Sequence, residues 1–139
     1  QDFYNKLNAE FGFTLDPCAT PITAKCSSYY TSDDDGLSKD WSGHTVFVNP
    51  PYGRQQRHWI EKAYKEGEKA GTTVVMLIPS RTDTKAWHNY CMKATEIRFV
   101  KGRLKFGQKG SKGNSAPFPS AVVVFSGNPP PKIKAIDRQ

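Results

Sequence analysis

Apolar residues recur along this chain in two rhythms. At helical spacing stand Phe3, Leu7 and Phe11 near the start, and Trp59, Ile60, Ala63 and Tyr64 in the middle. The first set predicts a short amphipathic helix over 2–10 behind a capping Asp2. The second predicts a helix over 58–70, stopped by Gly71. A third is predicted through TKAWHNYCMKA, residues 84–94, capped by Asp83 or Thr84. The other rhythm is the unbroken apolar run. TVFVN (45–49), TTVVMLIP (72–79), EIRFVKG (96–102) and SAVVVFS (120–126) predict strands. FTLDPCA (13–19) predicts a further strand ending at Asp16-Pro17, and KCSSYYT (25–31) another. Residues 128–139 begin with Asn and three prolines and predict an extended, loosely held tail.

Strands that alternate with helices predict an α/β domain over residues 1–127, with a mostly parallel sheet and helices on its faces. The last two apolar runs have no helical pattern between them, so they predict a C-terminal antiparallel hairpin. In such sheets ligands sit beyond the carboxyl ends of the strands, at the switch point. Asp16 and Asn49 both fall at such ends and are expected to face one crevice.

Composition narrows the function classes. A hydrophobic content of 37% with mean hydropathy −0.65 describes a globular protein, and no apolar run approaches bilayer length or reads as a signal peptide. Cys18, Cys26 and Cys91 form no CxxC pair, and His44, His58 and His88 have no ligand spacing, so no metal is assigned and a reducing cytosol is expected. The net charge is +7, and it is unevenly spread. No acidic residue lies between Glu96 and Asp137, while Asp33, Asp34, Asp35 and Asp40 cluster in the first half. A basic half beside an acidic pocket points to a polyanion partner and a small cationic or polyhydroxyl ligand.

The candidate chemistry lies in TVFVNPPYG, residues 45–53. A buried strand runs into two prolines, which cannot donate to a ladder and hold the chain extended. Asn49 is thereby pinned at a strand end, its side-chain carbonyl beside a proline carbonyl. Two fixed acceptors suit an NH2 group on an aromatic ring or an acyl group. Accepting both hydrogens draws that nitrogen toward tetrahedral geometry and frees its lone pair, which is preorganisation without a covalent intermediate. Tyr52 is placed to stack on the ring that carries the amine.

On these residues the sequence resembles the S-adenosylmethionine-dependent amino-methyltransferases. The longer string resembles the phage-type, Dam-like DNA N-6-adenine methyltransferases, through LNAEFGFTLDPCATP, AKCSSYYTSDDDGL, DWSGHTVFVNPPYG, VVMLIPSRTDTKAWH, GRLKF and APFPSAVVVF. These segments cover nearly the whole chain. The resemblance implies a Rossmann-like class I SAM-dependent methyltransferase with SAM as cofactor, and Asn49, Pro50, Pro51 and Tyr52 as the catalytic motif. It implies that Asp16, Pro17 and Cys18 lie under the methionine part of SAM, with Asn49 beside its methyl group. Asp34 and Asp35 become candidates for the ribose hydroxyls, with Asp33 also open, and Asp40-Trp41 the pair that reads the cofactor adenine. Cys18 follows a proline as the nucleophile of cytosine C-5 methyltransferases does. That Pro-Cys, however, belongs after the strand that here bears Asn49, so Cys18 is read as a buried wall residue. The implied partner is double-stranded DNA, met by a monomer or weak dimer, with a phage or prophage origin and action in the host cytoplasm.

GRLKFGQKGSKG (102–113) reads as a basic hairpin whose Arg103, Lys105, Lys109 and Lys112 contact phosphates. Arg81 is a further DNA-binding candidate, or the partner of Asp83 in an ion pair at the pocket rim. The same amine chemistry serves adenine of RNA or the side-chain amide of glutamine; the basic half favours DNA. A non-catalytic nucleic-acid-binding domain on the same scaffold would bind no SAM.

Overall fold

The computed structural model describes residues 2–19, 24–26, 28–106, 114–126 and 132–138. In chain order its helices are α1 (Asp2–Phe11), α2 (Gln56–Gly67) and α3 (Lys85–Asn89). Its strands are β1 (Thr45–Val48), β2 (Thr73–Pro79), β3 (Glu96–Lys101), β4 (Lys105–Phe106), β5 (Asn114–Ser115), β6 (Ser120–Ser126) and β7 (Lys132–Asp137). Five of these strands form one sheet in the order β1-β2-β6-β3-β7. β1 and β2 pair in parallel, as do β3 and β7, whereas β6 is antiparallel to both β2 and β3. Four strands therefore share one direction and β6 alone opposes them.

The apolar runs are continuous because both faces of the sheet are covered. Successive residues of β1, β2 and β6 feed opposite cores. Val46, Val48, Val74, Met76, Val123 and Phe125 meet Trp59, Ile60 and Ala63 of α2 on one face. Phe47, Val75, Val122 and Val124 meet Leu7 of α1 on the other. α1 ends where Gly12 takes φ +69, a region that favours glycine. Its last turn is tied to β3 by Arg98, which is buried, grips both carboxylate oxygens of Glu10 and lies over the Phe11 ring.

The predicted β3–β6 hairpin forms, and the two-stranded pair β4–β5 rises from its connection. Three expectations need correction. The segments over 13–19 and 25–31 contribute single parallel rungs, Leu15 to Val46 and Asp16 to Tyr29, in place of full strands. Pro17 lacks a donor and the Asp16 carboxylate turns the chain by accepting from the amides of Cys18 and Lys25. The third helix is shorter than predicted. Thr84 caps it, its hydroxyl accepting from the Trp87 amide at 3.2 Å, but the chain leaves helical geometry at Tyr90 and continues as a 3-10 turn over Cys91–Lys93. The segment read as a loosely held tail is extended, as expected, but over Lys132–Asp137 it is the edge strand β7 and buries Ile136.

The rungs position the site. The chain passes from Asp16 to Tyr29 on one side, then returns to place β1 on the other side of Leu15. A reversal of this kind opens a crevice at the carboxyl ends of the strands on either side of it.

Candidate active site

Asn49, Pro50, Pro51 and Tyr52 follow directly on β1 and stand at that crevice. Pro50 is buried and anchors the turn, while Asn49 is exposed. The motif separates two clefts. Pro51 lines the larger, of about 440 Å³, together with Pro17, Cys18, Asp35, Gly36 and Trp59. Asn49 lines the smaller, of about 150 Å³, together with Tyr4, Lys25 and Lys105.

The larger cleft is built by close backbone approach. A side chain on Gly36 would come within 2.1 Å of the Pro17 carbonyl oxygen, so only glycine fits against that strand end. The Gly36 carbonyl accepts from the indole of Trp41 at 3.0 Å, and Trp41 in turn stacks on Trp59 with centroids 6.2 Å apart. The indole nitrogen of Trp59 is buried without an acceptor. The Trp59 ring lines this cleft, whose size suits a nucleoside-bearing ligand such as SAM.

The sequence-predicted cofactor residues divide. Pro17, Cys18 and Asp35 line the cleft with Pro51. Asp16 is buried beneath it, its carboxylate accepting from the amides of Lys25 at 3.0 Å and Cys18 at 3.4 Å. Burial holds this carboxyl above its ordinary value, and the two amides moderate the rise. Burial likewise pushes the Cys18 thiol up to about 11, which keeps it a protonated wall residue. Asp34 closes a turn by accepting from the amide and hydroxyl of Thr31. Asp40 and Trp41 are not brought to the cleft as a reading pair. The Asp40 carboxylate accepts from Ser42 and pairs with Lys69 at 2.9 Å, and these bonds hold it well below the usual carboxylate range. Trp41 is fully buried behind Gly36. The reasons are local: Ser42 and Lys69 hold the Asp40 carboxylate, the Gly36 carbonyl holds the Trp41 indole, and the Trp41 amide donates to Glu66 at 2.7 Å.

Tyr52 is 58% exposed and meets Phe118 edge to face, with centroids 5.2 Å apart. The guanidinium of Arg81 lies 5.5 Å above the same Phe118 ring. It makes no ion pair with Asp83; the turn that carries it is fastened instead by the Ser80 amide, which donates to the Pro119 carbonyl at 2.8 Å. Arg103 and Lys105 are exposed at the root of the β4–β5 pair, and Lys105 is the one beside Asn49. Lys109 and Lys112 lie outside the described residues. Sequence reasoning assigned no role to Trp59, Phe118, Tyr4 or Lys25. Helical spacing marks Trp59 only as part of an apolar face, APFP carries Phe118 without showing its partner, and nothing marks a role for Tyr4 or Lys25.

Relatives with the same sequence pattern are methyltransferases by name. The DNA N-6-adenine-methyltransferase of Haemophilus phage HP1 (strain HP1c1) is 29% identical over 122 residues, covering 85% of this chain and 69% of that protein. The putative methyltransferase YfdM of Escherichia coli (strain K12) is 42% identical over 53 residues, which is 33% of this chain and 58% of YfdM. The chain belongs to the DNA N-6-adenine-methyltransferase (Dam) family, whose model matches residues 1–134.

Proposed function

We propose that the protein moves the methyl group of S-adenosylmethionine to the exocyclic amine of an adenine flipped out of duplex DNA. The observation that carries this reading is the position of Asn49-Pro50-Pro51-Tyr52, at a strand end on the switch point and between the two clefts. The same switch point, with helices on both faces of the sheet, supports a Rossmann-like class I assignment for a single methyltransferase domain.

In this reading the larger cleft holds SAM. Pro17 and Cys18 would hold its methionine part, Asp35 would accept from the ribose hydroxyls, and the Trp59 ring would form an apolar wall. SAM supplies an electrophilic methyl on sulfonium. The Asn49 side chain and the Pro50 carbonyl accept the two amine hydrogens of adenine and direct its lone pair at that methyl. With SAM bound, the directed nitrogen would take the methyl as the carbon–sulfur bond breaks, S-adenosylhomocysteine would be the leaving group, and the surplus proton would pass to solvent. Tyr52 and Phe118 are the aromatic walls for the base. Phe118 is buried and fixed, so the exposed Tyr52 ring turns to admit the base between them. Arg81, Arg103 and Lys105 face the DNA backbone, in the cytoplasm of a bacterial host.

The test is transfer of labelled methyl from SAM to unmethylated duplex DNA by wild type and Asn49→Ala. The reading requires label in N-6-methyladenine with wild type and its loss in the variant. SAM binding by calorimetry without transfer to DNA would redirect the chemistry to another amine. Neither binding nor transfer would reduce the chain to a non-catalytic scaffold.

A further inference from the structure

A third cleft, of about 500 Å³, opens beside Gly53 and Arg54, and the methyl-transfer chemistry does not use it. It lies between the start of α2 and the start of α3. Arg54, Arg57, Arg81 and Lys85 all line it, and no carboxylate does. All four side chains are exposed, and among the described residues none of them pairs with an acid. Four unneutralised cations around one concavity repel each other, which is an arrangement kept for an anion. The floor is different in character: Ile60, Ile78 and Trp87 are buried and apolar. Gln56 lines the same cleft, and its amide nitrogen is buried without an acceptor. A cationic rim over an apolar floor matches a nucleoside phosphate, whose charge and ring face are separated in the same way.

We infer that this cleft binds a nucleoside monophosphate unit, and that the unit is the nucleotide next to the methylated adenine on the same DNA strand. The inference rests on the methyltransferase reading. Two features choose the strand neighbour over a free nucleotide. Gly53 and Arg54, which line the cleft, immediately follow Tyr52 in the chain. Arg81 belongs to both places, lining the cleft while its guanidinium lies over Phe118, the partner ring of Tyr52. A strand whose adenine sits against Tyr52 and Phe118 therefore delivers its next phosphate to Arg81 and the following base to the floor. Occupancy of this cleft makes the residue beside the target part of what the enzyme selects.

The experiment uses duplexes built around the methylation site that the wild-type product itself reveals on sequencing. One duplex is native; in the other the phosphate linking the target adenine to its neighbour is a neutral methylphosphonate, placed in turn on each side. Methyl transfer is measured for wild type and for the double variant Arg57→Gln, Lys85→Gln, with SAM binding by calorimetry in the same samples as the check on folding. The variant is expected to raise KM for native DNA about tenfold or more, the loss of at least one charged hydrogen bond, with a much smaller change in kcat. The methylphosphonate on one side is expected to raise the wild-type KM similarly and to abolish the difference between the two proteins. Equal differences on every duplex would overturn the inference, since they would reflect only a general field of charge. Millimolar deoxyadenosine monophosphate provides the second arm. If it binds wild type but not the variant without competing with DNA, the cleft serves a free nucleotide and the strand-neighbour assignment falls. If wild type transfers no methyl to any DNA, the underlying methyltransferase reading fails, and the assignment fails with it.

Discussion

Asn49 stands exposed at the end of a strand whose other residues are buried, so its amide supports little of the fold. Asn49→Ala is therefore expected to leave stability within about 0.5 kcal/mol while lowering kcat by roughly 10²–10³, the usual cost of one preorganised polar group. Urea denaturation and single-turnover methyl transfer read the two effects separately. Glu66 is the opposite case. It is buried and accepts from the Trp41 amide, Lys62 and Lys69. Burial acts to raise its carboxyl, but the bonds from Lys69, Trp41 and Lys62 prevail and hold it below the ordinary 4.5. The unfolded chain thus binds the proton first as pH falls, and the stabilisation is present above pH 4.5 and lost as pH drops through the lowered folded value. Glu66→Gln should cost about 1–3 kcal/mol at neutral pH, with the difference from wild type shrinking on acidification. A gap that stayed constant from pH 7 to about pH 3 would show that the charge contributes nothing. Residue identity made Asn49 legible in the sequence because two prolines leave it one place to go. It did not settle Asp40 and Trp41, because neighbours in sequence reveal nothing of which way each side chain turns. Phe118 was hidden for another reason: its partner Tyr52 lies far back in the chain, and only the fold joins them.

Elements show where one atom matters. Gly67, in the last turn of α2, packs against β6 so closely that an added Cβ would fall 2.3 Å from that of Phe125 and 2.9 Å from its carbonyl oxygen. Both neighbours belong to a central strand that cannot retreat. Gly67→Ala is predicted to destabilise by about 1–3 kcal/mol or more, although alanine favours a helix over glycine. A gain in urea midpoint would mean that α2 shifts freely on the sheet. Helices α1 and α2 were legible because one apolar stripe per helix suffices to bury each, and β1, β2 and β6 because strands covered on both faces have no polar positions to confuse the pattern. The rungs at Leu15 and Tyr29 were overread as strands, since a short apolar run cannot reveal the turn that Asp16 imposes from its own side chain. β7 was underread for the converse reason. An edge strand needs only one ladder, and the prolines before it mask the six-residue register with β3. Truncation after Ser126 removes that ladder and the buried Ile136, and is expected to lower the thermal midpoint by several degrees, at about 2–4 °C per kcal/mol for a domain near this size.

At the scale of the molecule, charge and connectivity decide behaviour. Arg54, Arg57, Arg81, Lys25 and Lys105 all line clefts beside the segment from Asn49 to Arg54, where DNA is proposed to bind. If four to six phosphates are neutralised there, the affinity for duplex DNA should fall with salt at a log–log slope of roughly −4 to −5. A slope near zero in an anisotropy titration would contradict a DNA-facing surface of this kind. The reversed strand β6 has a different consequence, in time. β2 and β3 do not touch each other as strands; each pairs with β6, which alone joins the β1–β2 half of the sheet to the β3–β7 half. During synthesis the β1–β2 pair and β3 must wait, each with an apolar edge open, until residues 120–126 leave the ribosome, and β7 joins β3 only after that. Residues 120–126 therefore set when the sheet first closes, and a ribosome stalled before Ser120 releases a chain in which β2 and β3 lack the strand that joins them.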